Sequence, residues 1–446
     1  METETKIIDL FIGHEREGEY FTIPFDVNSG PFEDEIESIS IRYDYLRYNK
    51  SHTTTDGLSF EAHQEINIID IGLINPQGEQ VGASGSDKLV FIVSEMYATP
   101  GYRPVRIMNG SWEVLLGAYK VAPEGVNVHL EIKLAKKCLR LFKGDLHTHT
   151  LASDGMHTVE ELTWKAKRSG LDFIAITDHN QMISTKELPH SMEFTVIPGI
   201  EWTHYRGHAN FLGVGKPYEG CFATNTEEEA VAKFRSARER NALITINHPF
   251  EPGCEFRFSL EKIPFDCLEI WNGPMRESNL RAVGFWQQLL VSGKKIPVVG
   301  GSDYHRDTPF IFLGGPTMGV YSMSGGASDL LDATRNGHAY IVFSPDGPSA
   351  ELLCNHGAMT GDTVSWPDQK QVKYKVQNLK TGDIIRLVTH QASISVFQAN
   401  EQGDFEGVFE ISEPGFIRLE VLRSFLPGVP PLPALITNPI YFAKNT

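Results

Sequence analysis

His147 and His149 follow a short apolar run, Leu139-Arg-Leu-Phe142, that predicts a strand. Side chains at i and i+2 of a strand project from one side. Both imidazoles can therefore close on a single cation, with Asp154 reached around the next turn. A lone pair of this kind is more often a polar strand face than a metal site, so the test is whether other segments bring ligands to the same place.

Downstream segments repeat the pattern. The apolar run Phe173–Thr177 ends in Asp178 and His179, and Phe194–Ile197 is followed by Glu201 and then His208. Leu243–Ile246 leads into Asn247 and His248, and Pro297–Val299 into Asp303 and His305. Nine of the 16 histidines lie between 147 and 305, and six of these sit at strand ends. Any one of them could be a loop cap, but five strand ends in succession point to a shared centre. Imidazole mixed with carboxylate, without thiolate, suits zinc, manganese or iron better than magnesium or calcium. Nine ligand side chains are too many for one ion and suit two or three, with Glu201 placed to bridge a pair.

Positioning such groups requires a scaffold whose strand ends converge. From 139 to 345 the rhythm is strand, loop, helix. Thr158-Val-Glu-Glu161 and Thr226–Glu229 spell capping boxes, and Gly170 and Gly337 are helix stops. Further helices are expected at Glu277–Val291 and Ser328–Asn336. Continuous apolar strands between helices predict a mainly parallel sheet closed as a barrel, with reactive groups beyond the strands' C-terminal ends. Residues 1–138 alternate apolar and polar, as in Val126–Leu134, and predict a β-sandwich or jelly-roll. Residues 346–446 return to alternating strands and predict a second β-sandwich.

The net charge of −17 weighs against a nucleic-acid partner. No segment has eighteen uninterrupted apolar residues, and the first twenty residues lack a basic-then-apolar profile. Five cysteines without a C-x-x-C spacing read as reduced. A cytoplasmic protein without a membrane partner is the expectation.

Asp145-Leu-His-Thr-His-Thr150, Thr177-Asp-His179, Pro198-Gly-Ile-Glu201, Asn247-His-Pro249 and Gly301-Ser-Asp-Tyr-His305 together resemble the successive motifs of the PHP (polymerase and histidinol phosphatase) superfamily. Trp271-Asn-Gly-Pro274, Ser344-Pro-Asp-Gly-Pro348 and Thr437-Asn-Pro-Ile440 are similar to its CehA/McbA-type metallohydrolases. The resemblance implies an α/β fold: a distorted seven-stranded (β/α) barrel at 139–345 with a trinuclear centre, flanked by the two β-sandwich-like domains. It further implies a first metal on His147, His149, Glu201 and Asp303. A second falls to Glu201, His208 and His248, and a third to Asp154, His179 and His305. His204 competes with His208, and the strand that leads out of Gly207-His-Ala-Asn-Phe-Leu212 favours the latter.

The implied activity is hydrolysis of a small phosphomonoester or phosphodiester by a hydroxide shared between metals. Glu201, Asp303, His248 and Asp178 are expected to act on the reaction, Asp178 by orienting His179 or by capping a helix. Arg206, Arg276 and Arg306 are candidates for gripping a phosphate, with Asn272 and His157 at the mouth. Hydrolysis of a carbamate, ester or amide is the alternative, because the same nucleophile attacks carbonyl carbon. A nuclease and a carbohydrate-binding protein are weaker readings. A phosphorylated small molecule and self-association are the expected partnerships.

Overall fold

The computed structural model describes residues 2–27, 35–55, 58–366 and 368–444. The chain divides into two compact units, Met1–Cys138 with His190–Met192, and Leu139–Pro189 with Glu193–Thr446.

In the first unit, two four-stranded antiparallel sheets enclose one apolar core. One sheet runs Thr3–Ile12, Val126–Lys136, Ile36–Tyr45, Val90–Ser94; the other runs Tyr20–Val27, Gly110–Lys120, Ile68–Ile74, Gln80–Ser84. Alternation decides which side chains enter the core. Val126, Val128, Leu130, Ile132 and Leu134 are buried, while His129 between them faces outward and meets Asp9 at 2.6 Å.

In the second unit, seven consecutive strands each lie beside their sequence neighbours. They are β1 (Arg140–Thr148), β2 (Phe173–Ile176), β3 (Thr195–His204), β4 (Gly207–Leu212), β5 (Leu243–Ile246), β6 (Cys267–Asn272) and β7 (Val298–Gly301). The end of β7 returns to β1, where Asp303 N donates to His147 O at 2.9 Å and His149 N to Tyr304 O at 2.9 Å. Strands β2, β5 and β6 are buried along their whole length, as a sheet covered on both faces requires.

Among the described residues there are four α-helices: α1 (Val159–Arg168), α2 (Glu227–Glu239), α3 (Glu277–Val291) and α4 (Ala327–Arg335). Both expected capping boxes form, Thr158 with Glu161 and Thr226 with Glu229. No helix of the described residues is long and apolar enough to cross a membrane.

The sheet departs from the expected parallel order at β3–β4–β5, where both pairings are antiparallel. The reason is local: Tyr205 and Arg206 alone connect β3 to β4, enough for a hairpin and far too short for a parallel crossover. The sheet also continues beyond β1. Strands β8 (Thr317–Ser322) and β9 (Ala339–Val342) extend it, and β9 pairs with Leu432–Thr437. Residues after 345 therefore belong to the same compact unit, and Tyr321, Tyr340 and Val342 share a core with Leu387, Leu419 and Leu435.

Candidate metal centre

The centre is assembled at one rim of β1 to β7, from residues at or just past the ends of β1, β2, β5 and β7, from Glu201 within β3 and from His208 at the start of β4. His147 on β1 and His149 just past its end are buried side by side with ring centroids 5.3 Å apart. Thr148 between them turns away, its hydroxyl donating to Ala175 O at 2.6 Å. Glu201 on β3 is buried in the middle of the cluster. Its Oε1 accepts from Asn247 Nδ2 at 2.9 Å and lies 3.1 Å from His208 Nδ1 and 3.4 Å from both His147 Nε2 and His248 Nε2. Its Oε2 lies 2.7 Å from His179 Nδ1 and 3.7 Å from His149 Nε2. Asp303 approaches His149 Nε2 at 2.9 Å and His147 Nε2 at 3.4 Å. Asp154 approaches His305 Nε2 at 3.1 Å and His179 Nε2 at 3.6 Å.

All nine expected ligand residues thus meet in one place. His204 does not join them: its ring stacks on Trp202 and faces Thr224 O at 3.1 Å. His248 (φ 26°) and Asp303 (φ 53°) hold left-handed backbone that side-chain-bearing residues rarely adopt, a strain that concentrates at functional sites.

Four overlapping groups have potential ligand atoms within 4.8 Å of one another. They are His149/Asp154/His179/His305, His147/His149/Glu201, His147/His248/Asp303 and His208/His248/Cys254. Divalent cations fit this donor set. His147 Nε2 and His149 Nδ1 are buried without a hydrogen-bond partner, which is costly unless something else coordinates them. The electrostatics agree. Burial alone would lower the His147 imidazole, yet the carboxylates of Asp303, Glu269 and Glu201 hold its pKa well above the usual value. His248 is raised against burial by Cys254, Glu201 and Glu269, and His179 against burial by Glu201 and Asp154. Burial would raise Glu201, but His147 and the neighbouring imidazoles hold it well below the usual range. Asp303 is lowered in the same way by His147 and His149. Burial lowers His149. Negative carboxylates and imidazoles competing for protons are what a bound cation would replace.

Asp178 does not reach His179 as expected. Its Oδ1 accepts from Thr150 N at 2.7 Å and Ser153 Oγ at 2.6 Å, and its Oδ2 from Thr150 Oγ at 2.6 Å. It fastens the turn that carries Asp154, and His179 Nδ1 faces Thr203 Oγ1 at 2.7 Å instead. His157 is likewise outside the cluster, stacked on Tyr304 with Nε2 3.1 Å from its hydroxyl. Arg206 lies over the Phe258 ring, and Arg306 is exposed after His305. Arg276 is held at 3.1 Å by Glu251 and at 3.0 Å by Asn272 Oδ1.

Three supporting residues escaped the sequence reading. Glu269 on β6 is buried 2.9 Å from His147 Nδ1. Cys254 Sγ lies 3.7 Å from His248 Nδ1, although no thiolate was expected there. Asp145 accepts from Ser302 N, Gly314 N and His147 N at 3.0, 2.9 and 3.2 Å, and burial pushes it up to about 6. For Glu269 a signal existed: a lone acid in the otherwise apolar run Cys267-Leu-Glu-Ile-Trp271 must be paired if that strand is buried.

Residues 145–257 match the family pattern of the PHP domain. A segment of 110 residues is 32% identical to the 5'-3' exoribonuclease Rnm of Salmonella typhimurium; it is 22% of this chain, and the chain spans about a third (36%) of that relative's length. Among solved structures, a two-domain protein from Bacteroides vulgatus containing a predicted PHP-like metal-dependent phosphoesterase is similar over 67% of this chain and 95% of its own (17% identity, TM-score 0.39). An amidohydrolase from Chromobacterium violaceum with bound sulfate and no metal is similar over 38% of this chain and 89% of its own (15% identity, TM-score 0.28). The segment that matches the PHP pattern begins at Asp145 and carries seven of the nine clustered residues.

Proposed function

We propose that the chain is a metal-dependent hydrolase of phosphate esters. The observation that carries this is Glu201, whose two oxygens face imidazoles from β1, β4 and the loops after β2 and β5. In this reading β1 to β7 form a distorted barrel, supported by the hydrogen bonds from the end of β7 back to β1. His147, His149, Glu201 and Asp303 hold one ion, Glu201, His208 and His248 a second, and Asp154, His179 and His305 a third. Zinc, manganese and iron suit these donors. Bound there, such ions supply Lewis acidity and lower the pKa of water.

The chain's own residues do the rest. Asn247 fixes the Glu201 carboxylate by donating to Oε1. Arg276, pinned by Asn272 and Glu251, presents a guanidinium suited to the substrate's phosphate. Metal analysis combined with a panel of phosphate esters tests the reading. Two to three equivalents are expected, and Glu201→Gln should lose metal together with about 100- to 1000-fold of turnover, as when one preorganised electrostatic group is removed. Full activity in protein stripped of metal would overturn it.

A second reading, an RNA end as the phosphodiester substrate, is favoured by the segment similar to an exoribonuclease and opposes the charge-based exclusion of nucleic acid. Tyr205, 90% exposed at the β3–β4 hairpin, offers a ring on which a base could stack. Release of nucleotides from a 5'-labelled oligoribonucleotide, absent in Tyr205→Ala, would favour this reading over a small-molecule ester.

A further inference from the structure

We propose that Glu269 is a positioning residue that sets the tautomer of His147 and so prepares its Nε2 to bind the first ion. The inference rests on reading the cluster as a metal centre. Glu269 stands in the middle of β6, all six residues of which are buried. Three groups surround its carboxylate. Oε1 faces His147 Nδ1 at 2.9 Å, while Oε2 accepts from His248 N at 2.9 Å and from Asn272 Nδ2 at 3.3 Å. The orientation of the Asn272 amide is itself fixed, because its Oδ1 accepts from Arg276 at 3.0 Å.

The hydrogen-bond accounting leaves one arrangement. A carboxylate offers only acceptors, so His147 Nδ1 must carry the proton. In the neutral ring that a cation requires, Nε2 then keeps the lone pair, and this is the atom that lies 3.4 Å from Glu201 and from Asp303 without a hydrogen-bond partner. One buried acid therefore aims His147 at the ion and also, through the peptide N–H of His248, fixes the backbone that carries a second ligand. Such outer partners orient the ligand ring and raise its basicity.

Glu269→Gln inverts this chemistry at nearly constant volume. Its single oxygen is drawn to the N–H groups of His248 and Asn272, so its amide faces His147 Nδ1 as a donor. That moves the ring proton to Nε2, where the ion would sit. Titration of unaltered and Glu269→Gln protein with Zn2+ against a chromophoric chelator should show one site weakened roughly 10- to 100-fold in the variant. The ion on Asp154, His179 and His305 should stay in place. Unchanged affinity at every site would overturn the proposal, and so would equal loss of all the ions, which marks a scaffold role. If the variant does not fold, the 15N shifts of the His147 ring in unaltered Zn2+-loaded protein decide. A proton on Nδ1 supports the proposal and one on Nε2 overturns it. Unaltered protein that takes up no Zn2+ would overturn the metal reading, and this inference with it; uptake matched by the variant would overturn this inference alone.

Discussion

Asp178→Asn should loosen one ion and spare the others. The carboxylate receives three hydrogen bonds of 2.6 to 2.7 Å, all from the turn Thr150–Ser153 that precedes Asp154. Hydrogen bonds to a charged acceptor contribute about 1.5–3 kcal/mol each and neutral ones about 0.5–1.5 kcal/mol. Asparagine can keep its oxygen toward Thr150 N and Ser153 Oγ and turn its amide to the Thr150 hydroxyl, so all three contacts survive without the charge. The loss is then about 1 kcal/mol per bond, or about 3 kcal/mol for the turn. Every 1.4 kcal/mol is tenfold, so the ion that depends on Asp154 should bind up to about 100-fold more weakly. His149, on the other side of Thr150, is held separately by Tyr304 O and should keep its ion. Elemental analysis after dialysis against graded chelator should show one equivalent lost early in Asp178→Asn, as in Asp154→Asn. Retention of every equivalent, or equal loss of all, would refute the assignment of Asp178 to that turn.

Gly301→Ala should be destabilising by about 1–3 kcal/mol, as overpacked cores are, because its Cβ would press on His147 Cβ; thermal unfolding of the metal-free protein checks this. Arg423→Ala should cost about 3–5 kcal/mol by stranding Asp383, which it grips at 2.8 and 2.6 Å with both partners buried, and chemical denaturation would measure it. Metal should reverse the pH dependence of stability. His147, His179 and His248 have raised folded pKa values without metal, so their contribution is complete below the ordinary histidine value and lost as pH rises through the raised ones. Between about pH 6.5 and 8 the melting temperature of metal-free protein should therefore fall, while that of Zn2+-loaded protein rises because ligation requires deprotonated imidazoles. Parallel slopes for the two forms would count against ligation by these rings.

Local chemistry was legible in the sequence where neighbours in the chain decide it. The capping boxes at Thr158 and Thr226 form because a threonine and a glutamate three residues on satisfy each other's backbone donors without outside help. The nine clustered residues could be named because most of them stand just beyond an apolar run, with His208 at the start of one and Asp154 in the turn that follows another, and strands that pair with their sequence neighbours bring these rims together. Tertiary structure alone decided the partners of the remaining groups. Asp178 sits next to His179 in sequence, yet its direction at the strand end takes it to Thr150 and Ser153. Glu269 reads as a lone charge until β6 is laid between β5 and β7, where burial forces it to find His147. The sequence shift at 345 marks a change of pattern rather than the end of a compact unit, because β9 pairs with a strand about ninety residues further on. A sequence records which groups must be satisfied; only the packed chain decides by which neighbour, since buried polar atoms take whatever partner the fold puts within about 3 Å.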